Sequence, residues 1–184
     1  MGLTITDNGL DQMDEFLAAT EEEIRRAARN AVNQTATAAR TRMVDRMRIT
    51  GVNSKLLRSR MRIQRAQSGE ALATVIPSSA GVPVTQYTWH AEANPDNTSR
   101  ARLYVRWVEG GNKLAAGFLN QHASNPRPMS TRSSKGTLAK PKAALGPSVA
   151  AMFKVLRTRD FDMATSETLR EKFRSALNKQ MDNR

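Results

Sequence analysis

His90 and His122 are the only imidazoles in the chain, and thirty-two positions separate them. A zinc site takes three or four His, Cys or carboxylate ligands, usually with two of them close in sequence. No such local pair exists and cysteine is absent, so the sequence predicts no metal and no cofactor, and His90, beside Trp89, reads as an ordinary strand residue. The lack of cysteine also removes disulfides and thiolate nucleophiles. Ser130, Ser133 and Ser134, near Lys135 and Lys140, are the residue types of a Ser–Lys nucleophile, but they fall in a stretch rich in Pro, Ser and Gly that reads as a solvated loop. Paired carboxylates for proton transfer need a framed cleft. Glu21, Glu22 and Glu23 form a run instead, most simply a solvated helix face. The Gly110-Gly111 pair lacks the spacing of a phosphate-binding loop. With no catalytic constellation left, the chain is predicted not to be an enzyme.

Arginine gives the strongest chemical signal. Residues 25–65 carry twelve bases against Asp45 alone, whereas residues 1–24 carry seven acids and no base. Acids early and bases late suit a helix dipole, but that effect is worth a few tenths of a kcal/mol and acts only near the ends. The excess needs another reason. Arg40, Arg42, Arg46, Arg58, Arg60 and Arg62 are the candidate contacts, either to acidic protein partners or to phosphates along a groove. A solvated helix face is the simplest alternative. Aromatic residues do not interleave with the bases, so stacking on nucleobases is not expected. The net charge of +12 favours acidic partners in general.

These residues must be positioned by the elements around them. From Leu10 to Met47 apolar and small side chains recur at three- and four-residue steps, which predicts a long amphipathic helix over 10–49. Its stripe is narrow and alanine-rich, with Ala28, Ala31 and Ala38 forming a seam that a neighbouring backbone could approach closely. A helix this long exceeds what a core from 184 residues can cover, which points to a partner chain. Gly51 breaks it, Asn53 or Ser54 can cap a short second helix, and a sheet follows, the two filling residues 53–120. Within that sheet ARLYVRWV alternates, with Leu103, Val105 and Trp107 on one side and Arg102, Tyr104, Arg106 and Val108 on the other. Pro83 argues that its own segment is an edge or a strand start. The stretch 124–141 reads as a flexible loop, and 146–182 as two helices, the first opened by Gly146-Pro147 and the second by a Thr165/Ser166 cap. The expectation is one α+β domain over 1–184: a long N-terminal helix, a small mostly antiparallel sheet and C-terminal helices. No apolar run is long enough to span a membrane and no signal peptide is evident, so no membrane partner is expected and the chain should be soluble.

Five stretches in order resemble the minor tail protein Z family of tailed phages. They are ARNAVNQTATAAR (Ala28–Arg40), LLRSRMRIQRA (Leu56–Ala66), VPVTQY (Val82–Tyr87), AGFLNQ (Ala116–Gln121) and GPSVAAMF (Gly146–Phe153), followed by a basic C-terminal helix. In that family AGFLNQ resembles a strand start and GPSVAAMF the beginning of a helix. The family's fuller hydrophobic strand pair is replaced here by ASNPRPMSTRSS. The resemblance implies a structural virion protein of the phage neck. It would complete the tail at its head-proximal end and enable head–tail joining as a homo-oligomeric ring, a hexamer from tail architecture. Implied partners are the tail terminator, the tail tube and head-completion or connector proteins, with DNA in the neck channel as a further contact. Implied location is the virion, after assembly in the host cytoplasm. The alternative reading is a basic DNA-binding or DNA-packaging accessory protein.

Overall fold

The structure, a computed structural model, describes residues 8–67, 71–130 and 141–181, with side chains from Glu21 to Lys179. It is α+β, with a long N-terminal helix, antiparallel strands and C-terminal helices. The chain divides into two compact units, Met1–Ala39 with Ile63–Thr74 and Asp162–Arg184, and Arg40–Arg62 with Val75–Phe161. Neither unit is one contiguous stretch, so no linker-like composition marks a boundary between them.

Helix α1 runs from Asn8 to Met47. No glycine or proline falls between Gly9 and Gly51, so nothing in the sequence interrupts its backbone ladder. In the first unit the buried residues are small: Ala27, Ala31, Thr35 and Ala36 on α1, Ala66, and Thr168. Thr35 donates its hydroxyl to the Ala31 carbonyl at 2.8 Å, which lets a polar side chain be buried without cost in unmade bonds. The Asn33 amide fastens the chain after the second helix: its Oδ1 accepts from the Ala66 N–H at 2.9 Å, and its Nδ2 donates to the Ala66 carbonyl at 3.4 Å.

In the second unit α1 ends in a single 3-10 turn, Arg48–Thr50, and Gly51 adopts φ +86°. A Cβ there would lie 2.3 Å from Thr88 Oγ1, so only glycine fits. Thr88 donates its N–H to the Thr50 carbonyl across this junction. Helix α2 (Ser54–Ser59) is capped by Asn53, whose side chain accepts from the Lys55 N–H at 2.7 Å. Strands β1 (Met61–Gln64) and β2 (Thr74–Pro77) form a two-stranded ribbon. The Ser68-Gly69-Glu70 segment between them, whose residue types suit a hairpin turn, lies outside the described residues.

The larger sheet contains β3 (Gly81–Pro83), β4 (Trp89–Glu92), β5 (Arg100–Arg106), β6 (Asn112–Asn120), β7 (Pro128–Ser130), β8 (Lys142–Ala143) and β9 (Leu145–Ser148). Its main path runs β3-β9-β6-β5-β4, with β7 and β8 branching from β6, and every pairing is antiparallel. β3, with Pro83, is at one end of the path, where a proline removes no needed donor. The core consists of Met43, Val44 and Met47 of α1, Leu57, Met61, Leu103, Val105, Val149 and Met152, all essentially inaccessible. Helices α3 (Val149–Leu156) and α4 (Arg159–Met181) follow.

Several boundaries differ from the sequence reading. Pro147 lies within strand β9, and Ser148, the last residue of that strand, caps α3 by accepting from the Ala151 N–H. Thr165 and Ser166 lie inside α4, whose first turn is held instead by Thr158, its Oγ1 accepting from the Phe161 N–H at 3.3 Å. Part of the stretch read as loop is strand β7, which pairs Phe118 with Met129 and Leu119 with Pro128. Val108, read as outward, is buried where the chain turns at Gly110-Gly111. Among the described residues, no helix is long and apolar enough to cross a membrane.

Candidate functional site

The six arginines come from three consecutive elements of the second unit. Arg40, Arg42 and Arg46 sit on the last turns of α1, Arg58 in the last turn of α2, Arg60 at its C-cap and Arg62 on β1. Arg46 is committed within the chain. Its guanidinium carbon lies 5.6 Å from the Phe161 ring centroid and its Nη1 3.4 Å from the Leu156 carbonyl, so it ties Phe161 and the end of α3 to the last turn of α1. Arg40 is half-buried and its Nε, out of reach of water, has no hydrogen-bond partner. Arg42 is exposed. Arg58 and Arg62 are exposed and Arg60 half-exposed, and among the described residues no carboxylate lies within 4 Å of any of the three. Arg60 also anchors the ribbon through its backbone, its carbonyl accepting from the Ser78 N–H at 2.7 Å. Arg58, Arg60 and Arg62 are therefore the members of the set that present cations to an outside anion.

The alanine seam divides differently. Ala31 has no exposed surface within a single copy of the chain, while Ala28 and Ala38 are half-buried. The chain covers the centre of this stripe by itself, with Ala27, Thr35 and Ala36 buried beside it. A second copy is thus not needed to explain its small side chains.

The residues weighed for catalysis stay apart. His90 stands on β4 with its Nε2 3.1 Å from Glu92 Oε1 and its ring stacked on Tyr104, centroids 5.5 Å apart. His122 is exposed in the turn after β6, its N–H bonded to Asn120 Oδ1. Among the described residues no three His, Asp or Glu side chains are close enough to hold a metal. Ser130 is half-buried at the end of β7; Ser133, Ser134, Lys135 and Lys140 lie outside the described residues. A shallow depression lined by Glu171, Arg174, Ser175, Asn178 and Lys179 belongs to α4 alone.

The sequence reading passed over the outer face of β4, β5 and β6. Arg102, Tyr104 and Arg106 were read as one side of β5, but their neighbours could not be named. The register supplies them: His90 opposite Tyr104 and Glu92 opposite Arg102 on β4, Phe118 opposite Arg102 and Leu114 opposite Tyr104 on β6. Arg102 pairs with Asp96 at 2.9 Å and the Arg100 guanidinium covers the Phe118 ring at 4.4 Å.

No family model, curated protein or solved structure matches this chain.

Proposed function

We propose that the chain is a structural virion protein of a phage neck, completing the tail at its head-proximal end and enabling head–tail joining through protein–protein contacts. The observation that carries this reading is the ordered set of family-like segments, each of which falls on a defined element. Ala28–Arg40 lies in α1, Leu56–Ala66 spans α2 and β1, Val82–Tyr87 covers the end of β3 and the 3-10 turn after it, and Gly146–Phe153 joins β9 to α3. Ala116–Gln121 covers the second half of β6 and the first residue after it, not its start, because β6 runs from Asn112 to Asn120. The chain would act as a ring of identical copies, with tail terminator, tail tube or head-completion proteins as neighbours. Arg58, Arg60 and Arg62 would supply contacts to acidic surfaces.

The test is the mass of the purified chain alone and mixed with isolated tail tubes, by light scattering and electron microscopy. A species capping one end of the tubes is the expected result; tubes that stay bare while the chain is folded would overturn the reading. The three arginines without carboxylate partners also suit phosphates, which keeps non-specific DNA binding as the second reading. That reading requires an affinity that falls steeply with salt, with a logarithmic slope of roughly 0.9 per phosphate contact.

A further inference from the structure

Among the described residues, the sheet is covered on one side only. On the inner side Ala101, Leu103, Val105 and Ala115 are buried. On the outer side Leu114 keeps 58% of its surface exposed, and Leu145, paired with Ala116 across β6 and β9, keeps 44%. Tyr104 adjoins Leu114 through the strand register, so an apolar strip crosses three neighbouring strands. Arg100 and Arg106, both exposed, flank it at the two ends of β5. A sheet with apolar side chains on both faces has the composition of a middle layer, and an open apolar strip rimmed by charge marks a docking surface.

The chemistry of this face selects its occupant. Nucleobases would need free aromatic faces, but the rings here are already engaged, His90 by Tyr104 and Phe118 by Arg100. Leu114 and Leu145 offer nothing to a base. An amphipathic helix carrying acids fits better, and the chain contains one. Along the first part of the sequence, Leu10, Met13, Phe16 and Leu17 recur at helical spacing, Asp11, Asp14 and Glu15 lie among them and Asp7 just precedes α1. The first base is Arg25, so pairing one turn along the helix reaches back only to Glu21, which Arg25 holds at 2.6 Å. The four earlier acids have no base within that reach.

We infer that the acidic first turns of α1 from one copy dock on the outer face of β4, β5, β6 and β9 of the next, apolar stripe on Leu114 and Leu145, acids toward Arg100 and Arg106. The inference rests on the oligomeric part of the proposed function and names the surface that would build the assembly. Donor and acceptor are different surfaces, so each copy gives one contact and receives one.

The experiment compares two charge-reversed forms of the full chain, R100E/R106E and D11R/D14R, by sedimentation and light scattering. Arg100 and Arg106 are exposed, and circular dichroism verifies that both forms fold. The wild-type chain is expected to associate and each reversed form alone to associate at least tenfold more weakly. Mixed one to one, the two forms should recover association, because each then presents the sign the other needs. L114D, which leaves the arginines in place, should weaken association as well. Failure of the mixture to recover overturns the inference. Unchanged association in both reversed forms also overturns it, while leaving a ring built by another surface intact. A wild-type chain that stays monomeric overturns it outright, and tube capping then tests the neck reading separately. Loss of binding to a single-stranded oligonucleotide in R100E/R106E, with the mass unchanged, would replace the helix by nucleic acid.

Discussion

Tyr87 is buried with its hydroxyl donating to the Pro147 carbonyl, and its ring packs so closely on Gly146 that a Cβ there would sit 2.8 Å from Cε2. Burial pushes its phenol well above the ordinary tyrosine value of 10.0. In the unfolded chain the proton leaves first, so above about pH 10 the unfolded state binds fewer protons and stability falls as pH rises. This contribution is fully present below that pH and disappears as pH climbs toward the folded value. Tyr87→Phe should lower stability at pH 7 by about 1 kcal/mol and flatten the alkaline decline, as read by urea melts from pH 7 to 11. Two glycines with positive φ make a second contrast. A Cβ on Gly51 would sit 2.3 and 2.6 Å from Thr88 Oγ1 and N, whereas a Cβ on Gly110 would meet nothing within 4 Å. Gly51→Ala should therefore cost about 2–3 kcal/mol or more, and Gly110→Ala only the φ strain of about 1 kcal/mol, both measured as shifts in the melting midpoint.

At the scale of elements, α1 was legible because a 3.6-residue period persisted with no glycine or proline to interrupt it. Its contributions differ along its length. Met43 and Met47 are fully buried, so Met47→Ala should cost about 2–5 kcal/mol by opening a cavity. Ala31→Glu would force a carboxylate into a site with no exposed surface, so it should destabilise the fold itself and lower the melting temperature. It would not serve as a clean probe of assembly; Ala28 and Ala38 are better placed for that. The start of α3 was misread because proline suits a first helical turn and a strand end alike. Only the Ser148 cap decides between them, and Ser148→Ala should cost about 1 kcal/mol in a chemical melt. Strand β7 was invisible for a different reason. Three residues that include Pro128 have no period of their own, and their pairing with β6 is set from nine and eleven positions away in sequence. The outer sheet face was half legible: alternation separated Arg102, Tyr104 and Arg106 from the core. Which side of β6 stays uncovered depends on what packs against it, which no local pattern records.

For the whole molecule, charge is the dominant feature. A net charge of +12 coexists with a fully acidic first stretch, so self-association should respond to salt. Raising ionic strength from about 0.05 to 0.5 M shortens the screening length from roughly 14 to 4 Å, and should shift the mass distribution toward single copies if acids meet arginines between them. Apolar contacts alone would hold or strengthen. The ends of the large sheet bear on how copies can meet. β3 has three residues and contains Pro83, and β4 has four and carries Glu92 at its close. Short, proline-bearing or charged outer strands are poor templates for another strand. The backbone of this sheet is thus guarded against growth by strand addition, and a solution crowded with folded chains should resist conversion to cross-β fibrils.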